Sequence, residues 1–262
     1  MTEHPADGHA SAIADQFTRQ AEIFARSPAL HNEAVLSLLV DAAAPTASEL
    51  SLDVACGPGS VVAAFAPRVR RAHGLDATEA MLDEARALAA RHSLDNVEWH
   101  RGDVYRLPFP DGSVDIVTCR FAFHHLERPE AAFAEMVRVC RPGGRVVLCD
   151  AVASDDPARA AAFNRMERQR DPSTVAFRPL GALRRYFEIE GLPAPRERFF
   201  QVPTERDALI TAAFPLDGDR AALRRMIDDA VDSDLMGLNA YRDGHTVRFA
   251  YPAVILTSRR PG

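Results

Sequence analysis

The chain contains no lysine. All 31 of its Lys and Arg positions are arginine, and 37 acidic residues outnumber them for a net charge of −6. Arginine at every basic position is read as the codon usage of a GC-rich genome rather than as a functional device. The acidic balance excludes a nucleic-acid partner, because phosphate binding needs a basic surface. Cysteine is scarce, and Cys56, Cys119, Cys140 and Cys149 show no paired spacing. That pattern suits reduced core thiols better than a disulfide framework or a cysteine-ligated zinc. No apolar run approaches the length of a membrane span, and Met1 to Gly8 lacks the apolar stretch of a signal peptide. A cytoplasmic protein without a membrane partner is expected.

What remains is an ordinary globular composition, 47% hydrophobic and 26% charged over 262 residues, enough for one sizeable core. Helical patterns occupy residues 12–26 and 30–43, with a break at Ser27-Pro28. Strand and helix then alternate: strand 50–54, helix 59–66, strand 71–75, helix 78–91, strand 96–100, strand 114–118, helix 129–139 and strand 145–150. Thr78 is placed to cap the helix that follows it. This alternation predicts an α/β fold with a parallel sheet covered on both faces. Beyond Asp150 the spacing loosens into helices at 155–170 and 180–190, a strand at 197–202, further helices over 204–238 and a closing strand at 247–258. Pro252 predicts an edge or a bulge in that last strand.

The motif Leu52-Asp53-Val54-Ala55-Cys56-Gly57-Pro58-Gly59 ends the first strand in a glycine turn, with an acid on the strand itself. Glycines let backbone approach a ligand closely. Asp76 ends the second strand about 20 residues on, where ribose-binding acids lie in nucleotide-binding sheets. Asp103 closes the third. Acids at three consecutive strand ends point to an adenosine ligand that carries positive charge and no phosphate. A dinucleotide fold needs a third glycine where this chain has Val62, and Asp53 would repel a diphosphate. The sulfonium and ammonium of S-adenosylmethionine suit the acidic strand end instead.

These residues, with Gly74-Leu75-Asp76, Gly102-Asp103, the stretch from Leu107-Pro108-Phe109 to Asp115 and Arg141-Pro142-Gly143-Gly144, resemble the class I S-adenosylmethionine-dependent methyltransferases. The similarity is to the type 11 family that includes ubiquinone and menaquinone biosynthesis methyltransferases; it covers residues 12–150 well and the rest in outline. Ala55 stands where the family motif often has a first glycine. The resemblance implies a Rossmann-like, seven-stranded, mostly parallel sheet with the last strand antiparallel, helices on both faces, and helical insertions after the fifth and sixth strands. It implies one methyltransferase domain over 1–262, with a helical lid (1–45), a cofactor-binding core (46–150) and an acceptor-side region (151–262).

It further implies that Asp53 and Gly57 lie near the cofactor's methionine part, Asp76 on the ribose, Asp103 with Val104 at the adenine edge, and Met81 on the adenine ring. Arg120 falls where backbone carbonyls often hold the ammonium. Ala55, Cys56, Gly59, Ala77, Gly102 and Phe121 complete the cofactor-binding set. Methyl transfer to an O, N or C atom of a small organic acceptor, leaving S-adenosylhomocysteine, is the expected activity.

His124 and His125 follow the fourth strand at the edge where open α/β sheets bind ligands, and either is a candidate base, with His125 preferred on the resemblance. The plainer alternative is that both pack or hydrogen-bond. Phe17 and Phe24 lie about two turns apart on the first helix, as core or as a lid over the site. Phe163 and Met166 line an acceptor pocket or bury the inner face of their helix. Arg159, Arg165, Arg168 and Arg170 read as a solvated helix face. No ligand cluster for a metal is visible in the spacing. The competing functions are a non-methylating step such as cyclisation or decarboxylation, and a non-enzymatic cofactor-binding protein; all three need the same pocket.

Overall fold

The structure is a computed structural model that describes residues 16–22, 25, 31–215 and 218–262. Five parallel strands form its first half: β1 (Leu50–Val54), β2 (Arg71–Asp76), β3 (Val97–Arg101), β4 (Val114–Arg120) and β5 (Cys140–Ala153). They alternate with helices α1 (Glu33–Ala43), α2 (Ser60–Phe65), α3 (Glu79–Arg91) and α4 (Pro129–Val139). The second half adds α5 (Pro157–Arg170), a short β6 (Arg178–Pro179), α6 (Leu180–Ile189), β7 (Arg196–Glu205), α7 (Arg206–Thr211), α8 (Arg220–Ala230), β8 (Tyr241–Asp243) and β9 (Thr246–Arg259). The sheet order is β3-β2-β1-β4-β5-β9-β7, with β6 beside β5 and β8 beside β9. β9 runs antiparallel to both β5 and β7. The Rossmann-like, mostly parallel sheet read from the sequence is therefore present, with helical insertions after the fifth and sixth strands of the main path.

Strands covered on both faces must be apolar throughout. In β4, Val114, Ile116, Val117, Thr118 and Cys119 are all buried. One face packs on α1, α2 and α3 through Leu39, Val61, Phe65 and Leu82. The other packs on α4 and α6 through Phe133, Met136, Leu183 and Phe187. A separate cluster, including Phe163, Met166, Ile227 and Phe249, forms under the insertions. Arg145 ties the first face to the sheet, donating to both carboxylate oxygens of buried Glu49 (2.7 and 2.6 Å) and to the Ala43 carbonyl at the end of α1 (2.9 Å). All four cysteines are buried and unbridged. Among the described residues no helix is long and apolar enough to cross a membrane.

Four local readings change. Thr78 occupies the cap position of α3 but makes no capping bond; its hydroxyl donates instead to Asp76 Oδ1 at 2.8 Å. β3 stops at Arg101, so Asp103 lies beyond the strand and is exposed. Pro252 marks neither an edge strand nor a bulge. It pairs in register with Gln201 of β7 and lies one residue past the end of the β5 ladder at Ala151–Ala253. Arg170 does not join a solvated face: it pairs with the fully buried Glu167, which also accepts the Tyr251 hydroxyl at 2.6 Å.

Candidate active site

Because β1 is flanked by β2 on one side and β4 on the other, the order reverses between β1 and β4, and open α/β sheets bind ligands at that crevice. Both strands end in strain there. Ala55 and Phe121, neither a glycine, hold φ values of 55° and 54°, a conformation that costs of order 1–3 kcal/mol and clusters at functional sites. The β1 turn is tied to the end of β2 by Cys56 N–H to the Leu75 carbonyl and Gly57 N–H to Asp76 Oδ2, both 2.9 Å. Its two positive-φ glycines serve different ends. A Cβ on Gly59 would lie 2.7 Å from the Trp99 ring and 2.9 Å from Ala85, whereas one on Gly57 would meet nothing within 4 Å. Gly59 is needed for packing; Gly57 borders open space.

The acids differ in environment. Asp53 is 4% exposed, and its hydrogen bond comes from the Thr118 hydroxyl at 2.6 Å. Burial pushes its carboxyl up to about 7, against the downward pull of Thr118 and the Arg120 charge. Asp76 is also buried and raised by burial, which its bonds from Thr78 and Gly57 only partly offset. Asp103 is exposed and accepts the Tyr105 N–H at 2.9 Å. Met81 is buried on α3. Ala77, Gly102 and Val104 follow the ends of β2 and β3, and Val104 packs on the core. Arg120, the last residue of β4, is buried with its guanidinium 5.2 Å from the Phe121 ring centre. The Cys56 thiol is held well above its ordinary value by burial, as befits a filler rather than a nucleophile.

His124 and His125 lie on a single 3₁₀ turn (Phe123–His125) after β4, and each is 6% exposed. His124 is gripped by Asp150: its backbone N–H donates to Oδ2 at 3.1 Å and its Nδ1 lies 2.8 Å from Oδ1. An ionised carboxylate only accepts, so Nδ1 carries the proton and the lone pair is on Nε2. The ring stacks on Phe177 at 4.1 Å. His125 Nδ1 lies 3.0 Å from the Ser173 hydroxyl, which donates to Asp171 Oδ1 at 2.5 Å. By the same reasoning His125 also carries its proton on Nδ1. Burial, then the neighbouring His124, hold its pKa well below that of an ordinary histidine, and Asp171 only partly offsets them. The segment after α5 is clipped onto this turn by Val175 and Ala176 N–H bonds to the His124 carbonyl (2.9 and 3.0 Å) and by Arg178 to the Phe123 carbonyl (2.8 Å).

Phe17, on the helical stretch 16–22, meets His125 edge to face at 4.9 Å; Phe24 lies outside the described residues. Phe163 and Met166 are fully buried in the insertion cluster, Phe163 one ring behind Phe177 at 4.9 Å. The sequence reading missed Thr118, Asp150, Asp171, Ser173 and Phe177. Asp150 carried a signal, since it ends the apolar run Val146-Val147-Leu148-Cys149 as Asp76 ends its own strand. The other four carried none. The reading also missed a ligand cluster: pairing of β2 with β3 gathers His73, Glu98 and His100, with their ligand atoms within 4.8 Å of one another.

The sheet order and the glycine turn are those of a Rossmann-like methyltransferase fold, and residues 52–148 match the methyltransferase domain family. The chain is 30% identical to the uncharacterized methyltransferase YcgJ of Bacillus subtilis over 244 residues, 92% of this chain and 96% of that one. It is 36% identical to the ubiquinone/menaquinone biosynthesis C-methyltransferase UbiE of Roseobacter denitrificans over 129 residues, 48% of this chain and about half (52%) of that protein. The crystal structure of YcgJ superposes with a TM-score of 0.79 at 28% identity, covering 87% of this chain and 98% of YcgJ. That of a putative methyltransferase from Bacillus halodurans C-125 gives 0.79 at 28%, covering 87% and 99%. The chain therefore belongs to the S-adenosylmethionine-dependent methyltransferase family, together with YcgJ. The residues present fit the cofactor this family implies: a buried carboxyl raised by lack of solvation, which a cation would restore to its charged form, beside an open cradle at Gly57.

Proposed function

We propose that this protein transfers a methyl group to an O, N or C atom of a small organic acceptor bound between the His124–His125 turn and the insertion over it. The observation that carries this reading is the pair of histidines at the switch point, each held in one tautomer by its own carboxylate system. Asp53 and Gly57 take the methionine part of the cofactor, the Arg120 backbone carbonyl its ammonium, and Asp76 the ribose. Asp103 and Val104 take the adenine edge and Met81 the adenine face, with Ala55, Cys56, Gly59, Ala77, Gly102 and Phe121 around them. When bound, S-adenosylmethionine supplies an electrophilic methyl on a sulfonium. The lid read over 1–45 falls partly outside the described residues; its described residue Phe17 stands against His125, and 46–150 form the cofactor core. Residues 151–262 shape the acceptor side, where Phe163 and Met166 back the wall formed by Phe177.

Within this arrangement His124 is the better base. Asp150 holds its Nδ1 proton, so Nε2 can accept the acceptor's proton while the carboxylate stabilises the resulting imidazolium, the logic of a histidine–aspartate dyad. His125, held neutral by burial, orients the acceptor. The protein's larger contribution is holding the acceptor atom in line with the methyl and excluding water.

The test is incubation with methyl-labelled cofactor and a small-molecule extract. Acceptor-dependent label in a small product, with equimolar S-adenosylhomocysteine, is expected. Label appearing in macromolecules, or product formed without loss of the cofactor's methyl group, would overturn the reading.

A further inference from the structure

A second constellation lies away from the switch point, on the outer edge of the sheet. His73 of β2 sits opposite Glu98 of β3 in register, and His100 lies two residues further along β3. Side chains alternate along a strand, so Glu98 and His100 share a face while Trp99 packs on the other against Gly59 and Gly74. His73 Nδ1 consequently lies 3.1 Å from His100 Nε2 and 3.4 Å from Glu98 Oε2. A single imidazole nitrogen has one proton or one lone pair, so it cannot satisfy both neighbours with a hydrogen bond.

The distances suit another purpose. Donors bound to one tetrahedral zinc at about 2.0–2.1 Å stand about 3.3 Å apart. Both edges from His73 are already near that value. The remaining pair is within 4.8 Å, and the Glu98 side chain, 42% exposed, can swing to close it. Glu98 is also divided as a ligand would be: Oε1 pairs with Arg71 while Oε2 faces His73. An outer partner of this kind orients a ligating carboxylate. The Phe109 ring stands edge-on to both imidazoles, at 5.5 Å from His73 and 5.0 Å from His100, and walls one side of the cluster.

We propose that His73, Glu98 and His100 bind one divalent transition-metal ion of the zinc class, with water in the fourth position, as a clip between β2 and β3. Two imidazoles and one carboxylate suit zinc or cobalt(II) rather than the oxygen-ligated magnesium or calcium. The ion sits three residues before Asp76, about 10 Å down the strand at 3.3 Å per residue. Its role is therefore to hold together the strands that carry Asp76 and lead into Gly102-Asp103, not to take part in methyl transfer.

Cobalt(II) titrated into chelator-stripped full-length protein tests the site. A visible absorption band of tetrahedral intensity should saturate at one equivalent and be displaced by zinc. His100→Ala is expected to abolish the band, and Glu98→Gln, at an exposed side chain that spares the fold, to weaken cobalt binding at least tenfold. Zinc at a fixed concentration just above the wild-type dissociation constant is expected to raise the melting temperature of the wild type more than that of Glu98→Gln. No one-equivalent band in the wild type would overturn the site. So would an unchanged band in both variants, which would place the cation on other histidines.

Discussion

Asp53 offers the sharpest test of the cofactor assignment, because its ionisation and its proposed role pull in opposite directions. Burial holds the carboxyl neutral up to about pH 7. That folded value lies above the unfolded one, about 4. The unliganded protein therefore keeps the benefit of a neutral Asp53 at low pH and loses it as pH rises through 7, where a desolvated carboxylate appears. A cation placed against Asp53 reverses the preference. Binding then expels a proton, and affinity rises with pH until about 7. If the bound carboxyl returns to about 4, affinity is about eightfold weaker at pH 6 than at pH 7.5, with roughly 0.9 proton released at pH 6 and roughly 0.2 at pH 7.5. This window stays below the titration of the cofactor's own α-amino group, near 7.7–8.0 in ordinary amines. Calorimetry with S-adenosylmethionine, which carries both the sulfonium and the ammonium, in two buffers of different ionisation enthalpy reads both quantities. Asp53→Asn keeps an acceptor for Thr118 and removes the charge. It is expected to abolish the pH slope, weaken binding at pH 7.5 by about tenfold to a hundredfold, and raise the melting temperature of the unliganded protein. A flat profile in the wild type without proton release, or the same slope in Asp53→Asn, would refute the reasoning.

Three further outcomes follow from the geometry. Gly59→Ala forces a methyl into Trp99 and Ala85 and is expected to cost about 2–4 kcal/mol of stability in chemical denaturation, from overpacking and the left-handed backbone together. Gly57→Ala meets open space and is expected to cost about 1–2 kcal/mol while weakening cofactor binding more than tenfold in calorimetry. With an acceptor in hand, His124→Ala and Asp150→Asn are each expected to lower kcat by about 10²-fold or more, and the double variant little further, since the two act as one unit. Additive losses, or a drop below tenfold with an unaltered pH profile, would remove the base. Arg145→Ala leaves the buried Glu49 carboxylate with only the Thr46 N–H at 2.8 Å and Arg141 at 3.8 Å and is expected to cost about 2–4 kcal/mol, seen as a melting temperature lower by roughly 10 °C. Arg145 holds the Glu49 pKa below its ordinary value, so the wild type is expected to shed this contribution only as pH falls below about 4.5.

Much of the fold and several residues of the candidate site were legible in the chain, for a common reason. Strand 50–54 and helix 129–139 stand where periodicity and punctuation placed them. The acids at the ends of β1 and β2 and the two turn glycines are local signals, each recognisable from residues within one turn or strand. Periodicity says which face of an element is buried, but not what lies against it. Asp150 meets His124 from 26 positions away and Ser173 meets His125 from 48, the first because β5 pairs beside β4, the second because the chain after α5 folds back onto the turn. His73 and His100 are 27 apart and converge only through the β2–β3 register. Asp103 was read as a strand end because a single sequence does not mark where pairing stops. Pro252 was read as an edge or a bulge because its neighbours were unknown. The sequence by itself determined the α/β alternation, the glycine turn and the acids that end β1 and β2. The orientation of the histidines, the upward shift of the Asp53 carboxyl and the cluster on the outer edge were decided by tertiary structure, because each is a relation between surfaces that only strand register and packing bring together.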